Sequence, residues 1–87
     1  MPKQLNLEIV TPGEQKFKSA ADMVVVRAVG GEIGILPDHE SCNIALDDGV
    51  LKIKTGDETK FMKIFGGVAT ISGNNVIVMT NDAEWTD

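Results

Sequence analysis

A chain of 87 residues has room for one domain with one modest core, burying roughly 60 to 65% of the surface that its unfolded form exposes. Thirteen carboxylates against eight basic residues give a net charge of -5, and the basic residues are scattered along the sequence; both facts argue against nucleic acid or an anionic lipid surface as the partner. The longest apolar runs, Met23 to Val26 among them, are far short of the roughly 20 residues that cross a bilayer, and residues 1 to 20 lack a signal-peptide block or an Arg-rich transit pattern, so a soluble protein without membrane insertion is expected.

In chain order, Leu5, Leu7 and Ile9 alternate with Asn6 and Glu8, the period of a half-buried strand. Thr11-Pro12-Gly13-Glu14 then turns the chain into a segment carrying Phe17. Met23 to Val29, interrupted only by Arg27, reads as a central strand buried on both faces. From Gly30 to Pro37 the chain places three glycines and a proline, followed by Asp38 and the single histidine, His39. Glycine there permits positive φ or close backbone approach, and Pro37 pushes Leu36 into an extended shape, so a rigid bent loop is predicted as the working surface.

Asp47-Asp48-Gly49 makes a turn before Leu51 and Ile53, with Lys52 and Lys54 facing water. Thr55-Gly56-Asp57-Glu58 and Ser72-Gly73-Asn74-Asn75 close two hairpins. Thr80 to Asp87 carries helix-capping residues with no helix behind them, and Trp85 is read as a lid on the sandwich edge. Strands recur about every 8 to 12 residues, with no helix long enough to supply parallel crossovers. The fold class is therefore all-β: a flattened antiparallel β-sandwich or barrel of about ten short strands, one domain over residues 1–87.

Catalytic constellations fail. Cys42 is the only cysteine, cannot form an internal disulfide, and is read as a buried small hydrophobe in a protein from a reducing compartment. Its spacing of three residues from His39 says nothing of the spatial pairing that thiol chemistry needs. One His with one Cys does not make a zinc site. Asp47, Asp48, Asp57 and Glu58 fall in turns, outside any EF-hand pattern. Gly30-Gly31-Glu32-Ile33-Gly34 lacks the Lys-Ser/Thr of a phosphate-binding loop and opens no helix. Neither cofactor nor metal is expected. Read from the residues alone, the glycine-rich segment is a binding rim or a tight crossover between sheets.

Four stretches resemble the epsilon subunit of F-type ATP synthases: Leu5 to Phe17, Gly31 to His39, Asp48 to Ile53 and Phe65 to Ile71. The second is the most specific, similar to a Gly-Glu-aliphatic-Gly-X-X-Pro-X-His signature. The resemblance implies a non-catalytic β-sandwich at the foot of the rotor's central stalk, coupling the gamma subunit to the c ring of a proton- or sodium-translocating enzyme. It implies that Glu32 faces the ring, that His39 lies at the junction with gamma and ring, that Thr11 lies near gamma, and that Gly31, Gly34 and Pro37 hold the loop's shape. The location it implies is the cytoplasmic face of a bacterial inner membrane, with the stromal face of a thylakoid second. A monomer is expected when isolated.

The family commonly has glycine where Asp38 stands, and a small or apolar stretch where Glu40-Ser41-Cys42 stands. The family usually continues into a C-terminal helical hairpin that can block ATP hydrolysis and, in some members, bind ATP. These 87 residues do not include it, so the mechanical role is the one expected of them. The competing expectation is a free-standing β-sandwich that binds a ligand or acts as an adaptor; a Cys-dependent enzyme would demand a fast-reacting Cys42.

Overall fold

The computed structural model describes residues 3–38 and 40–86. Alternating apolar residues and short turns produce ten strands: β1 (Leu5–Thr11), β2 (Glu14–Ala21), β3 (Met23–Ala28), β4 (Gly31–Ile35), β5 (Cys42–Leu46), β6 (Gly49–Thr55), β7 (Glu58–Ile64), β8 (Gly67–Ser72), β9 (Asn75–Met79) and β10 (Ala83–Thr86). They form a nearly closed sheet in the order β10-β7-β6-β3-β5-β8-β9-β1-β2, with β4 paired to β3. Folded on itself, the sheet makes two layers: β2-β1-β9-β8-β5 and β10-β7-β6-β3-β4. The layers join where Ala28 of β3 pairs with Leu46 of β5, reinforced by Val29 N–H donating to the Ala45 carbonyl at 3.1 Å and Asp47 N–H to the Arg27 carbonyl at 2.9 Å.

The period-2 residues build the core between the layers. Leu5, Leu7 and Ile9 of β1, Val24 and Val26 of β3, Leu51 and Ile53 of β6, and Val76 and Val78 of β9 are all sealed from water. Burial of such side chains is the main favourable term in folding, about 1.5 to 3 kcal/mol each. The open side between β2 and β10 is covered by Phe17 and Trp85, whose rings meet edge to face at 5.4 Å between centroids, with Lys60 Nζ 5.7 Å from the Phe17 ring centre. Trp85 is thus a lid, as its sequence context suggests, carried on a tenth strand rather than on a structureless tail.

Several expectations are corrected. The pairing is not wholly antiparallel, because β1 and β9 run parallel from Asn6↔Asn75 to Val10↔Met79. β3 buries one face only: Val24, Val26 and Ala28 point inward, Met23 and Val25 are half-buried, and Val29 lies in the following turn, 69% exposed. Lys54 faces water, but Lys52 is half-buried opposite Phe61. Cys42 is exposed: it shares the face of buried Ile44 and Leu46 but stands at the first position of β5, before the buried part of the strand begins. The glycine-rich segment is mostly a strand: β4 forms a hairpin with β3 around Val29-Gly30 and runs to Ile35, leaving Leu36, Pro37 and Asp38 beyond its end.

Candidate functional site

Strand register brings distant turns to one end of the sandwich. Ala28 pairs with Leu46, Leu46 with Gly67, Val68 with Met79, and Met79 with Val10, so the turns at Val29-Gly30, Asp47-Asp48, Phe65-Gly66 and Pro12-Gly13 lie together. The β3–β4 turn is glycine-dependent, with φ of +100° at Gly30 and +143° at Gly31, values that L side chains rarely adopt. Gly34 differs: its backbone lies outside that region, and a Cβ there would meet only the terminal methyl of Met23, at 2.8 Å.

Glu32 stands opposite Arg27, one residue into β4, on its water-facing side. Neither ion pair found among the described residues involves it, so its carboxylate is available to a partner. Thr11, at the same end but in the other layer, is half-buried opposite Glu14. With Val10, Pro12, Gly67, Met79, Thr80 and Asn81 it lines a shallow depression of about 340 Å³.

Pro37 lies at the opposite end. Asp38 N–H donates to Asn74 Oδ1 at 2.7 Å, in the turn between β8 and β9, and the Asp38 carboxylate pairs with Lys3 at 2.9 Å. β4, rising about 3.3 Å per residue, separates Glu32 from this second cluster. Glu32, Gly31 and Thr11 are therefore brought to one end and Pro37 to the other, while His39 lies outside the described residues. Asp38 has φ of +66°, the one non-glycine among the described residues with positive φ, so the position where the resembling family commonly has glycine is one that suits glycine.

A third cluster ties the same lower end. Asp22, between β2 and β3, accepts from Gly56 N–H at 2.6 Å and from Gln4 Nε2 at 3.1 Å. The backbone donor of Gly56, and then Gln4, hold its carboxyl below the usual Asp value. Among the described residues no group of three or more His, Cys, Asp or Glu side chains is placed to hold a metal.

One feature escaped the sequence reading. On the outer face of the first layer, Ala45, Val68, Met79 and Val10 form a cross-strand row, with Ile77 one step further along β9. Val68 is 38% and Met79 46% exposed, while Val10 is half-buried. The signal was available: Val76-Ile77-Val78-Met79 is apolar at every position, so whichever phase faces the core, the other carries apolar groups to the surface.

The family described as "ATP synthase, Delta/Epsilon chain, beta-sandwich domain" matches residues 4–86. The chain belongs to that family. Its Delta/Epsilon relatives include the chloroplastic ATP synthase epsilon chains of Panax ginseng, 39% identical over 80 residues covering 92% of this chain and 57% of that one, and of Marchantia polymorpha, 40% identical over 80 residues covering 92% and 59%. The chain thus spans less than two thirds of the length of these curated relatives. Among solved structures, a chain of the Euglena gracilis mitochondrial ATP synthase (OSCP/F1/c-ring) superposes with a TM-score of 0.90 at 25% identity, covering 98% of this chain and 55% of that one. A chain of the Tetrahymena thermophila mitochondrial ATP synthase central stalk/c-ring shares the fold, with a TM-score of 0.78 at 16% identity over 93% of this chain and 66% of that one.

Proposed function

We propose that this Delta/Epsilon domain is a non-catalytic rotor element that joins the gamma subunit to the c ring of an ATP synthase, transmitting torque without chemistry of its own. The observation that carries the reading is the apolar row Ala45–Val68–Met79–Val10 beside Thr11, on the surface of a chain with a net charge of -5. Apolar residues gathered on one exposed face mark a protein contact, and a protein partner suits a net charge of -5 better than nucleic acid or anionic lipid does. In this reading gamma covers that row, with Thr11 at its margin.

Glu32, unpaired on an edge strand held by a glycine turn, offers a carboxylate to basic or polar loops of the ring. Charge-assisted contacts on a stiff hairpin give direction as well as affinity. Gly31 shapes the turn, Pro37 ends the strand, Gly34 leaves room for Met23, and His39 makes a further contact at the junction of gamma and ring. The coupled ion, proton or sodium, is carried by the ring. The relatives and structures named above are chloroplastic and mitochondrial, which favours an organellar energy-transducing membrane over the bacterial one expected from sequence.

Calorimetric titration of this chain into purified gamma from the same source, at two salt concentrations, tests the reading. A one-to-one complex whose affinity changes little with salt is expected, because the row is apolar. Absence of binding to a folded gamma would replace the rotor reading with the free-standing adaptor.

A further inference from the structure

β4 is held weakly for a strand that must bear load. Among the described residues it pairs only with β3, and four of its five residues are exposed. Strands of this kind open locally at low free energy cost. Its two ends differ. The leading end is fixed by the turn at Val29-Gly30 and by glycine conformations only glycine adopts easily. The trailing end runs through Pro37 into Asp38, whose positive φ and two tethers hold it against another part of the molecule.

Asn74 is the centre of that attachment. Its side-chain oxygen accepts the Asp38 N–H, and its backbone carbonyl accepts Asn6 N–H at 2.7 Å, while Asn6 Nδ2 donates to Asn75 Oδ1 at 3.2 Å. The turn between β8 and β9 is thereby fastened to the start of β1, in the middle of the first layer. The Lys3–Asp38 pair adds a second tether, but both side chains are well exposed and salt screens it. The Asn74 bond is shorter than most neutral hydrogen bonds, and its acceptor is uncharged, so salt does not weaken it.

We infer that Asn74 is a positioning residue for the Glu32 strand: by holding Asp38 in its left-handed conformation it locks the trailing end of β4, and so presents Glu32 in one orientation to a partner. The inference rests on the rotor reading for its partner, and on the fold alone for the lock itself.

Two measurements separate those parts. Amide exchange in the isolated chain reads the lock at Ile33 and Ile35, which face Val26 and Val24 across the β3–β4 ladder. Binding to a detergent-solubilised gamma–c-ring subcomplex reads the consequence. In Asn74→Ala, exchange at Ile33 and Ile35 accelerates, exchange in β6 and β9 stays as in the wild type, and affinity for the subcomplex falls about tenfold if the competent orientation drops to a tenth of the population. Asn74→Asp, which keeps the acceptor oxygen, restores both. Unchanged exchange at β4 in Asn74→Ala, or acceleration spread equally over all strands, overturns the inference. A wild-type chain that does not bind the subcomplex overturns the rotor reading and leaves the exchange result to judge the lock.

Discussion

Gly67 has the least room for a side chain of the nine glycines. Its φ is +116°, and an added Cβ would overlap the Met79 carbonyl oxygen and lie 2.8 Å from Thr80 Cα, both backbone atoms that cannot step aside. Gly67→Ala is expected to cost roughly 4 kcal/mol or to prevent folding, as strain and overlap coincide. Gly34→Ala meets only a flexible methionine methyl and is expected to cost under about 1 kcal/mol; urea unfolding of the two variants measures the contrast. Next to Gly67, Thr80 is buried with its hydroxyl accepting Phe65 N–H at 3.2 Å and donating to the Asp82 carbonyl at 3.1 Å. Thr80→Val keeps the volume and removes both bonds, but Phe65 N–H also donates to the Asp82 carbonyl at 3.3 Å and keeps that partner, so the expected loss is about 0.5 to 1.5 kcal/mol by the same assay. The glycines could be read from sequence as special, but not ranked. Gly67 is constrained by Met79, a partner twelve residues away that only strand register brings close.

Among the elements, the hairpins were legible and the long-range pairings were not. Pro12-Gly13, Gly56-Asp57 and Gly73-Asn74 each turn the chain where their residues indicate, with positive φ at Gly13, Gly56 and Gly73. The pairing of β1 with β9 joins residues at opposite ends of the chain and leaves no local signature. The conformational freedom of Gly30, Gly31 and Gly34 and the rigidity of Pro37 point to a bent loop where β4 stands, but pairing to β3 draws Gly31–Ile35 into a strand. Asp22 couples elements that are also far apart, the β2–β3 corner and the β6–β7 turn. Its folded pKa lies below the unfolded value, so its contribution to stability is complete above the unfolded pKa and fades as pH falls through the folded one. The urea midpoint should therefore drop on acidification below about pH 4, and Asp22→Asn should be less stable at pH 7 but show a shallower loss over that acid range. An unchanged slope in the variant would assign the acid sensitivity to other carboxylates.

At the scale of the whole molecule, the composition describes an acidic domain, and the fold sorts that composition into unlike surfaces. The sequence average is that of an ordinary acidic domain, but the outer face of the first layer gathers Val68, Met79 and Ile77 into an apolar patch that no average shows. Placing one charge in that row separates folding from assembly. Met79→Glu, at an exposed position, is expected to change stability by no more than about 0.5 kcal/mol, yet to weaken gamma binding at least tenfold, since a carboxylate buried there would lack a partner. Calorimetry with matched thermal melts checks both halves. The all-β class and the likeness of the Gly31 to His39 stretch were readable directly, because both depend on residues adjacent in sequence. The patch was not, because it is assembled across β5, β8, β9 and β1.

The seam between the outermost strands has a practical consequence. The chain's single tryptophan closes it, 53% exposed and in edge contact with Phe17 across the gap. Intrinsic fluorescence therefore reports from one known place, the last strand, without any label. Emission that shifts before the circular dichroism of the sheet changes would mean that the molecule opens from β10 inward, as a cylinder unrolls from its free edge.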